Sequence, residues 1–304
     1  MGASESTLTD LSTVKEGGET SSSMTSFFSK SSKIDWSAYE VDGEMDFELE
    51  SPSGQERLEA LKASVMEHMR LAYPTDKQYP ELVNFICSCA LRFRNGDMAT
   101  AADRVQNYLD WRRRVIGSFE VQELSDENDN LLSVLNSNVL NIIEDVDSEG
   151  RCALVFRLRN LDPSKVPPLH ILKAWHYLIM YALQSPSVQT HGIYVIGDMG
   201  EAAFSNVDTR ITKALYNAIS KNVPLRLHRV AIYRPFTLIY VMFPVVRIFF
   251  PAKLQKRIKI IGNDPQLLGK YLDMSKLPAD LGGTDGAFDH NAKVALWQAA
   301  QARS

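Results

Sequence analysis

From residue 150 onward, short apolar β-prone runs alternate with longer segments of helical periodicity, and this alternation limits the possible folds more than any other feature. The β-prone runs are 152–158, 193–196, 229–233 and 258–261, and the helical segments between them are 169–183 and 209–220. Strands separated by helices of about 10–15 residues predict βαβ units, and therefore an α/β fold with a mostly parallel sheet. Asp264 followed by Pro265 predicts the start of a further helix that carries Leu267, Leu268, Tyr271 and Leu272.

Residues 56–117 show helical periodicity alone, which predicts a small helical domain before the sheet. A second helix opens at Pro80 and a third ends at Gly117, whereas residues 120–138 are polar and acidic, as is typical of a linker. We therefore divide the chain into a leader (1–55), a helical domain (56–119), an α/β domain (131–286) and a C-terminal tail (287–304).

The first 55 residues differ from the rest in composition and charge. They hold 11 acidic and 3 basic residues, whereas residues 56–304 hold 26 and 30, so that a leader of −8 precedes a body of +4. Such a segment buries too little apolar surface to offset its ordering entropy, and we expect it to be disordered. Its start fits the N-myristoylation pattern at Gly2, and a small-residue start without acylation is the alternative.

The cysteine and histidine content excludes several classes of protein. The chain has three cysteines, Cys87, Cys89 and Cys152, which are too few for a disulfide framework and predict reduced thiols in the cytoplasm. Neither these cysteines nor the six histidines have the spacing of a metal site, so we expect no metal and no cofactor. The net charge of −4 argues against a nucleic-acid partner.

Residues 236–250 (FTLIYVMFPVVRIFF) form the most apolar segment of the chain. A helix of this length spans roughly 22 Å, short of a hydrocarbon core of about 30 Å, so we expect no transmembrane helix. It lies within a span, 209–263, that holds 11 Lys or Arg residues and no acid, a pattern that favours an anionic membrane surface. Two interpretations remain: a helix buried in the core, and a helix between a hydrophobic cavity and a membrane.

Several motifs follow one another in a family-specific order. LRFR (91–94) with Trp111-Arg112, GRCALVFRLRNLDP (150–163), GIYVIGDMG (192–200), Pro235-Phe236 and LPADLGG (277–283) cover residues 56–286 between them. In this order they resemble the CRAL-TRIO family of lipid-binding and lipid-transfer proteins, and the chain looks most similar to its α-tocopherol-transfer and retinaldehyde-binding branch. The resemblance implies a helical module followed by a hollow α/β domain, in which the sheet floors an apolar lipid pocket under a mobile gate helix.

The resemblance also implies which residues serve these roles. The implied gate residues are Phe236, Ile239, Phe243, Val246 and Phe250. A pocket for an apolar ligand needs apolar walls, and alternating strand residues could provide them, although the sequence leaves open which parity faces inward. The candidates are Phe156, Leu158, Tyr194, Ile196 and Ile232.

A basic cleft that binds phosphoinositide phosphates is the last implied feature. Lys253 and Arg257, four residues apart, match the family's pair, and two such residues on one helical face can hold one phosphate. Arg226, Lys256 and His228 are further candidates. We therefore expect a hydrophobic lipid and an anionic phosphoinositide membrane as partners, for a cytoplasmic protein that binds membranes peripherally and reversibly.

Two rival classes of function have less support. The chain has no G-x-G-x-x-G, Walker or G-x-S-x-G motif, and Asp198 has no identifiable catalytic partner, so we do not expect an enzyme. A scaffold or small-GTPase regulator on the same fold, without cargo transfer, is the alternative. Val223-Pro224-Leu225 stands where phosphatidylinositol-exchange members carry Tyr-Pro-Glu, which argues against exchange of that lipid in the pocket.

Overall fold

The computed structural model describes residues 47–122, 124, 130–237, 239–240, 243, 252–286 and 289–301. Most of the predicted leader, with the acylation candidate Gly2, and the gate residues Val246 and Phe250 lie outside the described residues. The side chain of Lys253 lies outside them as well, although its backbone is described.

Local side-chain chemistry fixes the starts of two helices in the N-terminal part. The Ser51 hydroxyl accepts a hydrogen bond from the Gly54 N–H at 3.1 Å, and the Asp97 carboxylate accepts one from the Thr100 N–H at 3.1 Å. Such caps satisfy backbone donors that a first helical turn leaves without partners. The predicted helices are confirmed, and they are α1 (Pro52–Ala72), α2 (Pro80–Phe93) and α3 (Met98–Val115).

A sheet of five strands, in chain order, forms the centre of the part that follows. The first strand is antiparallel to the second, whereas all later neighbours are parallel, so the predicted α/β fold with a mostly parallel sheet is confirmed. Helices lie in each crossover, as βαβ units require. The strands are β1 (Leu140–Ile143), β2 (Cys152–Arg157), β3 (Ile193–Asp198), β4 (Leu227–Tyr233) and β5 (Ile258–Gly262). The helices are α4 (Leu131–Asn136), α5 (Pro168–Ala182), α6 (Pro186–His191), α7 (Thr209–Asn217), α8 (Ala252–Arg257), α9 (Gln266–Gly269) and α10 (His290–Gln301).

The structure corrects two details of the sequence interpretation. The stretch 120–138 is not a linker throughout, because α4 lies within it and buries Leu131, Val134 and Leu135. The helix predicted from Asp264 is a single turn, α9, and the Asp264 carboxylate accepts a hydrogen bond from the Gln266 N–H at 2.9 Å. Both elements are too short for apolar periodicity to define them.

One face of the sheet packs against the segment that follows β5. Ala153 and Val155 of β2, Tyr194 and Ile196 of β3, and Ala231 of β4 belong to one buried cluster. That cluster is completed by Leu268, Leu272, Leu277 and Leu281 from the C-terminal segment. These side chains alternate along the strands with those of the opposite face, so a residue's parity decides which face it occupies.

A buried polar network joins the helical domain to α5. The Tyr108 hydroxyl of α3 lies 3.1 Å from His176 Nε2, and the Arg112 guanidinium donates to that hydroxyl at 2.9 Å. Arg112 also donates to the carbonyl oxygen of Ser118 at 3.0 Å. Burial, with the Arg112 charge beside it, holds the pKa of His176 well below its usual range, so the imidazole stays neutral. This network fixes α3 against the α/β part of the fold.

Candidate functional site

The sheet face opposite the packed cluster is apolar and only half-buried. The strand register places Phe156, Gly197, Ile232 and Ile260 in one row across β2 to β5. The neighbouring row contains Val195, Val230 and Ile258. We call this surface the apolar face and define it by its partly exposed members Phe156, Val195, Val230, Ile232, Ile258 and Ile260.

Gly197 makes the centre of the apolar face concave. It lies between Phe156 and Ile232 in the row and contributes no side chain. Among the described residues, a Cβ built on it would have a single heavy atom within 4 Å, the carbonyl oxygen of Ala231 at 3.9 Å. No described residue therefore fills the space directly above Gly197.

The structure divides the five predicted pocket residues between different surroundings. Phe156 and Ile232 lie on the apolar face, whereas Tyr194 and Ile196 belong to the packed cluster on the other side of the sheet. The Tyr194 hydroxyl donates to the carbonyl oxygen of Tyr271 at 3.1 Å. Leu158 lies beyond β2 in a single 3₁₀ turn and is 7% exposed. Tyr194 and Ile196 therefore do not share one sheet face with Phe156 and Ile232.

The first gate residues follow directly from β4. Phe236, Ile239 and Phe243 are half-buried, and the backbone at Ile239 and Phe243 is helical. The Tyr240 hydroxyl of the same segment would lie 3.5 Å from a Cβ on Gly262, at the end of β5. This part of the predicted gate segment therefore starts at the carboxyl ends of β4 and β5.

Basic side chains lie at the amino ends of the parallel strands, opposite to the carboxyl ends where the gate segment starts. Arg151, Arg226 and Arg257 each directly precede a strand, namely β2, β4 and β5. Because parallel strands begin at the same edge, these three residues lie along one edge, which we call the basic edge. Before β3, Gly192 has φ +83° and a Cβ there would lie 2.1 Å from the Arg226 carbonyl oxygen, so glycine allows β3 and β4 to begin side by side.

The positive charges at the basic edge lie close to one another, and few carboxylates neutralise them. Burial lowers the pKa of the Arg226 guanidinium, and the charges of Arg257 and Arg151 lower it further. Arg226 donates to a backbone carbonyl, that of Phe93, at 3.2 Å, whereas Arg151 is ion-paired with Asp147 at 2.6 Å. Within the described residues no carboxylate forms an ion pair with Arg226 or Arg257. An anion at this edge would relieve the repulsion.

The remaining predicted cleft residues lie around this edge. His228 is half-buried beside Tyr194, and burial, followed by the charges of Arg151 and Arg229, lowers its pKa. Lys256 and Arg257 are exposed at the end of α8, the helix that also contains Lys253. Sequence reasoning missed Arg151, although a single base directly before a predicted strand was a signal that could have found it.

The carboxyl ends of the strands hold a buried ionic network instead. Asp198 is fully buried, and its carboxylate accepts from Arg159 at 2.8 Å and from Arg234 at 2.6 Å and 2.9 Å. Asp280 accepts from Arg157 at 2.8 Å. A Cβ at Gly200 would lie 2.5 Å from the Arg234 Nε, so glycine there leaves room for the guanidinium. Both oxygens of Asp198 are thus engaged in ion pairs.

The described residues contain neither a membrane-spanning helix nor a metal-binding cluster. Among the described residues, no helix combines the length and the apolar character needed to cross a membrane. In the same part of the chain, no group of three or more acidic, histidine or cysteine side chains is arranged to hold a metal ion.

Known proteins resemble this chain along most of its length. A mouse alpha-tocopherol transfer protein-like protein is 26% identical over 233 residues, 73% of this chain and 65% of that protein. Rat clavesin-1 is 24% identical over 202 residues, 66% of this chain and 56% of its own. Human tyrosine-protein phosphatase non-receptor type 9 is 25% identical over 193 residues, 64% of this chain and 32% of the phosphatase. The match thus spans less than two thirds of each relative.

A solved structure and a family model support one assignment. The crystal structure of Sfh5 has a TM-score of 0.51 to this chain at 14% identity, and the match covers 81% of this chain and 92% of that one. At this identity the likeness supports the fold alone. The model of the CRAL/TRIO domain matches residues 136–283, which contain the apolar face, the basic edge and the ionic network. The expectation drawn from the motifs is therefore confirmed for this part of the chain: residues 136–283 are a CRAL/TRIO domain.

Proposed function

We propose that the chain binds a hydrophobic lipid on the apolar face and carries it to membranes that contain phosphoinositides. The observation that carries the proposal is the half-buried apolar face with its hollow at Gly197, inside a CRAL/TRIO domain. A ligand that covered this face would remove apolar surface from water, which contributes about 25 cal/mol per Å². The name of the tocopherol transfer-like relative supports a small lipid as cargo.

The proposed gate would close this pocket. It consists of Phe236, Ile239, Phe243, Val246 and Phe250, in the segment that follows β4. An apolar segment of this kind can cover a bound lipid in one position and contact a membrane in another, because both environments accept apolar side chains. Its start near the carboxyl ends of β4 and β5 supports this role.

Docking would use the opposite edge of the sheet. Arg226, His228, Lys256, Arg257 and Lys253 are the proposed phosphoinositide-binding residues, to which we add Arg151. Guanidinium groups bind phosphate oxygens with paired hydrogen bonds, and each base near an anionic bilayer contributes about 1 kcal/mol. The unbalanced positive charge of Arg226 and Arg257 supports the proposal.

A carrier fits the described site better than an enzyme. Asp198, the acid that ends β3, is held by two arginines rather than by a nucleophile or a histidine. The family resemblance likewise implies ligand transfer rather than catalysis. We therefore propose no reaction for this chain.

Native mass spectrometry of the full chain tests the cargo proposal. We expect a lipid to copurify, and Gly197→Leu to reduce the bound fraction about ten-fold, since the new side chain would occupy the hollow that the ligand fills. Gly286→Leu is the matched control, because a Cβ there has no described neighbour within 4 Å and the residue lies outside the sheet. Absence of lipid after purification and after incubation with vesicles would contradict the proposal and favour the scaffold alternative.

A lipid-transfer assay between vesicles tests the gate. We expect Phe243→Asp to slow transfer about ten-fold while the Tm changes little, because a carboxylate opposes contact of a half-buried apolar segment with either the ligand or the bilayer. Leu296→Asp, at an exposed position of α10, is the control for an added charge. Transfer at the normal rate by Phe243→Asp would remove the gate assignment.

A further inference from the structure

Residues 47–50, which precede the cap of α1, are anchored on the turn between α2 and α3. The Phe47 N–H donates to the side-chain oxygen of Asn95 at 3.1 Å, and a Cβ on Gly96 would lie 2.4 Å from the half-buried Phe47 ring. Leu49 is buried as well, with 4% of its surface exposed. Because removal of apolar surface from water is favourable, Phe47 and Leu49 fix the position of this segment.

The anchored residues lie next to the basic edge. The mostly buried side chain of Arg92 donates to the Glu50 carboxylate and to the side-chain oxygen of Gln189 in α6, so it connects this segment to the CRAL/TRIO domain. The next residue of α2, Phe93, provides the carbonyl oxygen to which Arg226 of the basic edge donates at 3.2 Å. Two consecutive residues of α2 therefore connect the anchored segment to the basic edge.

Acidic residues occupy every second position in this part of the leader. They are Glu44, Asp46, Glu48 and Glu50, and residues 43–50 contain no base. We call residues 43–50 the acidic segment. Glu48 and Glu50 are exposed, whereas Glu44 and Asp46 lie outside the described residues. The acidic segment thus combines apolar side chains that anchor it with carboxylates that remain at the surface.

We propose that the acidic segment binds the basic edge of its own chain, with the carboxylates of Glu44 and Asp46 paired with Arg226 and Arg257. The two guanidinium groups form no ion pair within the described part of the chain, and guanidinium binds carboxylate with paired hydrogen bonds. An extended chain spans up to about 3.6 Å per residue, so both carboxylates can reach from Phe47 to the surroundings of Arg226. Because Phe47 is already anchored there, the effective concentration of the carboxylates at the basic edge is high.

The same contact would inhibit docking. An anionic membrane and the acidic segment would compete for the guanidinium groups of the basic edge, so the membrane has to displace the segment before it binds. This consequence rests on the proposed docking function, whereas the contact itself does not.

Cross-linking of the full chain with a carbodiimide tests the contact without any membrane. The reagent joins a carboxylate directly to a neighbouring amine, and Arg257→Lys supplies an amine at the basic edge while keeping the charge. At low salt we expect peptide mass spectrometry to identify a cross-link from Glu44 or Asp46 to position 257, and none to Lys270, an exposed lysine outside the basic edge. High salt should remove the cross-link, because it screens the attraction. Absence of the cross-link at low salt, or a cross-link formed only between two copies of the chain, overturns the inference.

Binding to phosphatidylcholine vesicles with phosphatidylinositol bisphosphate tests the inhibition. We expect Glu44→Gln with Asp46→Asn to raise the affinity about five-fold, since two exposed ion pairs no longer compete with the membrane. Glu5→Gln with Asp10→Asn is the matched control, because it removes the same charge from a distant part of the leader and should keep the parent affinity. Equal gains in the two double variants, or no gain in either, overturn the inhibition. If neither the parent nor the variants bind the vesicles, the docking proposal fails, and the cross-link still decides whether the acidic segment binds the basic edge.

Discussion

Replacing Asp198 with asparagine is expected to destabilise the folded chain by about 3 kcal/mol. The carboxylate is fully buried and accepts hydrogen bonds from Arg159 and Arg234, which are themselves mostly buried. Asparagine keeps the shape of the side chain but removes the charge, so Arg234 would lose its ion-pair partner and Arg159 would keep only Asp280, at 3.3 Å. Urea unfolding should show the loss as a lower midpoint with an unchanged slope.

The control for this substitution is an acid whose ion pair is exposed. Asp162 is paired with Lys165 at 2.9 Å at the surface, and Asp162→Asn should leave the midpoint almost unchanged, because exposed pairs contribute little. An equal midpoint for Asp198→Asn and the parent protein would show that the ionic network adds no net stability. The same pair of variants separates a structural role for Asp198 from a functional one, since lipid binding by folded Asp198→Asn should match that of the parent.

Much of the fold was predictable because its elements give strong local signals. Helices α1 to α3 are long enough for several apolar repeats, and strands β2 to β5 are short apolar runs between helical segments. Strand β1 gives no such signal, since all four of its residues are buried and no polar residue on a solvent face marks an alternation. The helix α4 has six residues, which is less than two turns.

The sequence could predict which strands form the candidate site, but not which of their side chains share one face of the sheet. Both faces of β2 and β3 carry apolar side chains, so the sequence could not decide whether Phe156 or Val155, Val195 or Ile196, lies inward. The register shows that Phe156 and Ile232 share one row with Gly197, whereas Val155 and Ile196 lie on the other face. The burial of Arg104 could not be predicted from the sequence either, because it depends on the contact of α3 with the turn before β4. A contact between distant segments leaves no mark in local periodicity.

Replacing Lys253 and Arg257 together with alanine is expected to weaken binding to phosphoinositide vesicles about 30-fold. Each base near an anionic bilayer contributes about 1 kcal/mol, so removal of both corresponds to about 2 kcal/mol. Arg257 is exposed at the basic edge, directly before β5, and its removal leaves no buried group without a partner. The slope of log affinity against log salt should become shallower, because fewer charges then interact with the bilayer.

The matched control is the double variant Lys270→Ala and Lys276→Ala. It changes the net charge of the chain by the same amount at two exposed lysines outside the basic edge. Vesicles in which phosphatidylserine supplies the same total charge add a second comparison. They retain the general attraction to an anionic surface but lack the phosphorylated headgroup. If headgroup recognition operates, the Lys253 and Arg257 variant should lose most of the difference between the two lipids, whereas the control should keep it. Equal losses in the two double variants would mean that total charge, rather than the basic edge, determines docking.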